Sequence, residues 1–327
     1  MDREILVSVC CTAYNHEAYL RQTLDSFVGQ QTDFAFEILV NDDASTDGTR
    51  AILREYAERY PDLIRPFYQE KNLFSRDIDI YAEVFFPVAR GKYTALCEGD
   101  DYWNDPTKLQ RTVAFLEAHP TYSACVHNTM IHYCGGDQKD RPLLRMDGDR
   151  DVRFQDILDG MSHAFHFSAI VGKTAIISDK QDFYYVGLRN GFTDQCEALW
   201  LYLHGPIRCL DRIMSVYRVH SGSGAWSSET DGQYAKYRRF IAGEVEMLRC
   251  FRAHAPAELA EAVDETVLER EFELMYFEGR DREQRRPPYD AILRRQPLSY
   301  RFKNLLKCCF PALHRIWRRR RNYGESE

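Results

Sequence analysis

The sequence contains no run of 18 or more apolar residues, the length a membrane-crossing helix needs, and its opening Met1-Asp2-Arg3-Glu4 lacks the basic-then-apolar layout of a secretory leader. No Asn-x-Ser/Thr acceptor occurs. Ten cysteines, among them the adjacent pairs Cys10-Cys11 and Cys308-Cys309, are too few and too scattered to staple 327 residues together. These absences give the expectation of a reducing, cytoplasmic setting. No Gly-x-Gly-x-x-Gly follows the first apolar run and no Gly-x-x-x-x-Gly-Lys-Ser/Thr occurs, which argues against a dinucleotide-dependent oxidoreductase and a P-loop NTPase. Internal repeats are absent too. Disorder is excluded by what is present: 44% hydrophobic and 13% aromatic residues, enough for one large α/β domain with an appendage, or two domains.

Net charge is −7, a difference between two unlike regions. Residues 280–321 carry 14 Lys and Arg against 3 Asp and Glu, a net of +11, whereas residues 1–279 carry 29 against 45, a net of −16. An acidic body with a basic tail suggests that the tail meets an anionic surface, either nucleic acid or the inner face of a membrane.

Along the first 135 residues, apolar runs of strand length alternate with segments of helical spacing. Strands are expected at Ile5 to Thr12, Phe36 to Asn41, Ile64 to Tyr68 and Tyr93 to Cys97. Helices are expected at Glu17 to Val28, Thr46 to Tyr60, Ile78 to Val88 and Pro106 to His119. Such alternation predicts an α/β fold with a mostly parallel central sheet, in which ligands bind beyond the carboxyl ends of the strands. After a charged connection, Gly135 to Asp151, strands at Phe165 to Val171 and Arg208 to Val219 flank a helix from Asp194 to His204, and the remainder is helical. The expected division is a catalytic domain at 1–228, a helical extension at 229–297 and a basic amphipathic tail at 298–327.

The first strand runs into Thr12-Ala13-Tyr14-Asn15 and the second into Asp42-Asp43-Ala44-Ser45-Thr46-Asp47-Gly48. Thr46 or Asp47 suits a helix cap, but capping leaves Asp42 and Asp43 as adjacent carboxylates that repel unless something binds them, as a base or a ribose hydroxyl would. A third cluster, Glu98-Gly99-Asp100-Asp101-Tyr102-Trp103, offers hard oxygen ligands for a divalent ion that bridges a diphosphate. Its bland alternative is an acidic surface turn.

These segments together resemble the family-2 glycosyltransferases. Thr12-Ala13-Tyr14-Asn15 is similar to their Pro-x-Tyr-Asn opening, Asp42 to Asp47 to their Asp-Asp-Gly-Ser-x-Asp loop, and Glu98-Gly99-Asp100-Asp101 to their Asp-x-Asp-Asp metal site. Thr193-Asp194 and Tyr217-Arg218-Val219-His220 resemble the late motifs, so the likeness spans about residues 5–228. The resemblance implies a GT-A fold, a Rossmann-like nucleotide-diphospho-sugar transferase with a C-terminal helical extension. It implies inverting transfer of a sugar from a UDP- or dTDP-sugar to a hydroxyl of a glycan or lipid-linked acceptor in surface polysaccharide synthesis. Carried over by residue, Thr12, Ala13, Tyr14, Asn15, Asp42, Asp43, Glu98, Gly99 and Asp101 would bind the donor. Asp100, with Asp101 and His220, would hold Mg2+ or Mn2+, and Asp194 would be the general base.

The chain departs from the pattern twice: Ala13 replaces a Pro that rigidifies the turn, and Glu98 replaces an Asp, one methylene longer. Glu197, one helical turn beyond Asp194, competes with it as base, and Asp194 alone also reads as a cap. Trp103 and His166 are candidates for the acceptor side, each with an equally plain reading as a satisfied core residue. Trp226 suits a lid over Ser221 to Ser228. Cys125, His127, His132 and Cys134 lie close in sequence, but on a continuous strand their side chains alternate and do not converge on one zinc ion. Alternative functions sharing the fold are a sugar-nucleotide pyrophosphorylase-like enzyme, which would need a Gly-rich basic loop, and an inactive sugar-nucleotide-binding assembly protein. In the tail, Tyr300 to Phe310 and then Leu313, Ile316, Trp317 and Arg318 to Arg321 mix apolar and basic residues as a segment peripheral on an anionic membrane would. No nucleic-acid partner is expected, because the body is acidic and carries no nucleic-acid motif.

Overall fold

The structure, a computed structural model, describes residues 4–135, 138–220 and 233–309. The chain divides into two compact units, Met1–Glu229 and Thr230–Glu327.

The first unit is built on a twisted ten-stranded sheet of order β3-β2-β1-β4-β9-β6-β10-β5, with β7 beside β6 and β8 beside β10. Its strands are β1 Ile5–Ala13, β2 Ala35–Asp42, β3 Ile64–Tyr68, β4 Tyr93–Glu98, β5 Tyr102–Trp103, β6 Ala124–Cys134, β7 Arg141–Pro142, β8 Arg150–Asp151, β9 Val171–Lys173 and β10 Ile207–His220. The half formed by β3, β2, β1 and β4 is parallel, as is the β6–β10 pair, while β9 runs antiparallel between β4 and β6. Val7, Val9 and Cys11 point to one face of β1, and Ser8 and Cys10 to the other; all five are fully buried. A parallel strand covered on both faces has no polar side to show, which is why β1 reads as a near-continuous apolar run.

Helices α1 Leu20–Val28, α2 Thr49–Arg59 and α3 Lys108–Ala118 belong to the parallel half, where Leu20, Leu24, Phe27, Leu53, Leu109 and Leu116 join the strand side chains in one core. Shorter helices α4 Phe154–Leu158, α5 Met161–Ala164, α6 Thr174–Ile177 and α7 Asp182–Asn190 lead to α8 Thr193–Leu203.

Two expected elements differ. Phe165 to Val171 is a 3₁₀ turn, Phe167–Ala169, followed by the short β9. Phe165, Phe167, Ala169 and Ile170 are all buried, so the run lacks the alternation that distinguishes a strand, and the His166 ring accepts a hydrogen bond from Ser168 N to cap the turn. The expected helix over Ile78 to Val88 contracts to a five-residue π-helical turn, Tyr81–Phe85, with Asp79 Oδ1 accepting from Tyr81 N. Helix α7 has no counterpart in the sequence reading.

The second unit contains α9 Gln233–Phe251, α10 Ala257–Glu278, α11 Tyr289–Arg295 and α12 Leu298–Cys309. No helix among the described residues is long and apolar enough to cross a membrane.

Candidate active site

Strand register assembles the site. Thr12 stands opposite Asn41 on one side and Glu98 on the other, and Ala13 opposite Asp42, so the loops after β1, β2 and β4 open on the same edge of the sheet. Asn15 and Ala44 take left-handed backbone angles, φ 55° and 62°. Asn tolerates that region, whereas Ala enters it only where surrounding contacts hold it. Those contacts tie the first two loops together. Asn15 N donates to Ser45 Oγ at 3.0 Å, Thr46 N to Asn15 Oδ1 at 2.8 Å, and Glu17 N to Asp47 Oδ2 at 3.1 Å. Asp47 Oδ1 also accepts from Thr49 N at the start of α2. Tyr14 projects from this knot and remains 45% exposed.

Asp42 and Asp43 are both buried, and the protein itself supplies their partners. Asp42 receives Arg50 Nε at 2.6 Å and Ser45 N at 3.2 Å. Asp43 receives Leu73 N at 2.7 Å and Phe74 N at 3.1 Å. The sequence argument that such a pair requires an outside ligand is therefore corrected: one guanidinium and three backbone N–H groups answer the repulsion. Asp43 thereby fixes the loop that displays Phe74.

The Glu98–Trp103 loop lies across the end of β1 and over α1. Gly99 N donates to Thr12 O at 2.8 Å, and a Cβ on Gly99 would lie 2.9 Å from His16 Nδ1 and 3.0 Å from Ala13 Cβ, so any larger residue would have to push the His16 ring aside. From α1, Thr23 Oγ1 reaches the carbonyls of Gly99 and Asp101 at 2.9 and 2.6 Å. Arg218 N, on β10, donates to Asp101 Oδ1 at 2.9 Å, and its guanidinium bonds Asp100 O and Gln22 Oε1 while lying over the Tyr102 ring.

The two aspartates consequently face different ways. Asp101 is buried, with Oδ2 3.6 Å from His166 Nδ1; burial, followed by the Asp100 and Glu98 charges, holds its carboxyl well above the usual carboxylate range, opposed by Arg218. Asp100 Oδ2 lies 3.4 Å from His220 Nε2 and 3.8 Å from His16 Nε2. His220 Nε2 is buried without a hydrogen-bond partner, and its ring packs on Tyr19. Among the described residues no three His, Cys, Asp or Glu side chains converge on one metal position. One carboxylate and an unpartnered imidazole nitrogen form a partial set, which fits an ion whose remaining ligands are diphosphate oxygens and water.

At the start of α8, burial pushes the Asp194 carboxyl up to about 6, with Glu197 adding to the rise and the Thr193 hydroxyl opposing it. Glu98, at the end of β4, is exposed to solvent yet crowded by protein atoms; that crowding, then the Asp100 and Asp194 charges, raises its carboxyl too. Glu197 is buried and paired with Lys180, whose ammonium lies 4.0 Å from the Tyr184 ring centre. His166 is stacked on Tyr217 at 4.1 Å and pushed down to about 4 by burial. Trp103 is a core residue, 3% exposed, with Nε1 donating to Ser168 O at 3.1 Å; it offers no face to an acceptor. Trp226 lies outside the described residues. The four residues of the excluded zinc reading sit on the continuous β6, where His127 is buried and His132 pairs with Asp140.

Against known proteins, the model of glycosyl transferase family 2 matches residues 8–177, which include all three strand-end loops. The chain belongs to glycosyl transferase family 2. An uncharacterized protein of Mycobacterium tuberculosis is 35% identical over 242 residues, 72% of this chain and 63% of that protein. This chain thus matches somewhat under two thirds of that relative's length. A Bacillus subtilis protein named as a putative teichuronic acid biosynthesis glycosyltransferase, TuaG, is 27% identical over 257 residues, 76% of this chain and 91% of that one. Among solved structures, S. aureus TarS 1-349 in complex with UDP aligns with a TM-score of 0.54 at 17% identity, covering 94% of this chain and 81% of that one. That likeness is one of fold, and with the family match it makes this the GT-A fold.

Sequence reasoning passed over four residues that aim the family-2 loops, His16, Thr23, Arg50 and Lys108, and placed Arg218 in a late motif without a role. Lys108 had a legible signal. Together with Thr112 and Leu116 it forms the i, i+4, i+8 stripe that α3 buries.

Proposed function

We propose that this family-2 chain is a metal-dependent inverting glycosyltransferase that moves a sugar from a nucleoside-diphosphate donor, UDP- or dTDP-linked, to a hydroxyl of a glycan or lipid-linked acceptor. The observation that carries the reading is the β2–β1–β4 register, which gathers Tyr14, Asn15, Asp42, Asp43 and Asp100 at one sheet edge, with Asp194 near enough to raise Glu98. Tyr14 supplies an exposed ring for the base, and the knotted loops around Asn15 and Asp42 supply backbone groups for the nucleoside. Asp100 and His220 would hold Mg2+ or Mn2+, with Asp101 fixing the loop from beneath. When bound, such an ion offsets charge developing on the departing diphosphate.

Asp194 takes the acceptor proton during in-line attack on the anomeric carbon. Glu197 is the poorer base, because Lys180 already holds it and a buried pair resists losing one partner. The TuaG relative supports an acceptor in polysaccharide synthesis. The tail, 298–327, is proposed to bring the chain to an anionic membrane, where lipid-linked acceptors lie.

The test is nucleotide release from a panel of nucleoside-diphosphate sugars with Mn2+ or Mg2+ and glycan acceptors. We expect release with one donor class, loss on chelation, and at least about a hundredfold weaker donor binding in Asp100→Ala, a change of about 2.7 kcal/mol. Donor affinity that ignores both chelation and Asp100→Ala would sink the metal assignment.

A further inference from the structure

Helix α12 is two-faced. On one side Asn304 is buried, its amide donating to Gln284 Oε1 at 2.7 Å and to Asp281 O at 3.2 Å, while Lys307 reaches Asp281 Oδ1 at 3.0 Å and the Tyr300 ring packs near Phe272. Residues 300, 304 and 307 follow the i, i+4, i+7 spacing of one helix stripe.

The opposite stripe, Leu298, Phe302 and Leu305, has the same spacing and is 77%, 62% and 40% exposed. Of the seven large hydrophobic side chains left exposed among the described residues, these are the three that share one surface. They line a groove with Arg285, Arg294 and Arg301. No ion pair engages Arg301 among the described residues, and Arg294 is tethered only to the neighbouring Asp290.

Apolar tips interleaved with arginines match the border between acyl chains and anionic headgroups, where the tips enter hydrocarbon and the guanidiniums meet phosphates. The chain that follows continues the composition, with Phe310, Leu313, Ile316, Trp317 and Arg318 to Arg321. Resting on the membrane reading of the tail, we propose that the outward face of α12, built on Leu298, Phe302 and Leu305 and flanked by Arg285, Arg294 and Arg301, is a docking surface for an anionic lipid bilayer.

The experiment is co-sedimentation of the full chain with vesicles of phosphatidylglycerol and phosphatidylethanolamine, against vesicles of phosphatidylcholine alone. Expected is partition into the anionic vesicles that falls at least about tenfold in the triple variant Leu298→Ser, Phe302→Ser, Leu305→Ser and also falls in Arg301→Glu. These positions are exposed, so each variant should keep the wild-type circular dichroism and melting temperature, and Arg301→Glu keeps the question decidable if the triple variant does not. A variant with Arg318, Arg319, Arg320 and Arg321 changed to Gln separates the two readings. Loss there, with binding retained in the triple variant, leaves the tail reading standing and overturns the α12 surface. No sedimentation of the wild type overturns both. If ultracentrifugation shows the wild type dimeric and the triple variant monomeric, with vesicle binding equal, the face joins two copies of the chain and the bilayer assignment falls.

Discussion

At the scale of single residues, Asp194 and Lys108 carry opposite shifts from one cause. Burial disfavours the charged form of each, pushing the Asp194 carboxyl up to about 6 and the Lys108 ammonium down to about 7. For a general base the consequence is kinetic. Transfer should fall as pH drops through about 6 and level off above it, and Asp194→Asn should abolish transfer while leaving donor binding intact. A near wild-type rate in Asp194→Asn would hand the role to Glu197. For Lys108 the consequence is stability. The unfolded chain binds this proton up to about 10.5 and the folded chain only up to about 7, so folding stability rises with pH between those values, by up to about 1.4 kcal/mol per pH unit. Lys108→Met should remove that slope, which denaturant titrations of both proteins at pH 7 and pH 9 would show. Equal slopes would mean that Lys108 keeps an ordinary affinity for its proton. Lys108 Nζ donates to Ser168 O at 2.6 Å and lies 3.9 Å from the Trp103 ring centre, so Lys108→Met should also loosen the seat of the Glu98–Trp103 loop.

Among the elements, the parallel half was legible, as were α8, β10 and the helical remainder, whereas residues 165–190 were not, for a physical reason. β2 and β4 are apolar runs ending in Asp and Glu, and β1 is one that leads through Ala13 and Tyr14 to Asn15; a strand buried on both faces next to a ligand edge leaves that signature. Residues 165–170 lack a period, since Phe165, Phe167, Ala169 and Ile170 are all buried, and in the short α7 the buried Phe183, Tyr184 and Gly187 mark only about one helical turn. The acidic loops were legible as clusters, while their struts were not. Arg218 holds Asp101 across 117 positions of sequence, and no local pattern announces such a contact. Glycines at strand junctions were equally silent. A Cβ at Gly91 would sit 2.3 Å from Ser8 N and 2.6 Å from Val7 C, both backbone atoms of β1 that cannot move aside. At Gly99 the nearest atom is a histidine ring nitrogen at 2.9 Å. Gly91→Ala should therefore destabilise by at least the upper end of the usual range of about 1–3 kcal/mol and Gly99→Ala by less, while Gly99→Ala should weaken donor binding more. Thermal melts with donor titrations check the ranking, and the reverse order would refute this account of the β1–β4 junction.

For the molecule as a whole, the decisive quantity is how its −7 is divided. Residues 1–279 total −16, and a body of that charge is repelled by an anionic membrane and gains nothing at long range from an anionic nucleotide sugar. On the proposed reading, membrane contact would come from the +11 of residues 280–321, and donor capture from close contacts around Asp100 and the strand-end loops. The two differ in range. Exposed arginines act on lipid phosphates through solvent, where the screening length shrinks from about 10 Å at 0.1 M salt to about 3 Å at 1 M, whereas partly buried groups are screened much less. Raising salt from about 0.1 M to about 0.5 M should therefore release the protein from anionic vesicles while changing vesicle-free nucleotide release by less than about twofold. A parallel fall in both would show that one long-range field serves membrane and donor alike, and that the acidic body and the basic tail do not act separately.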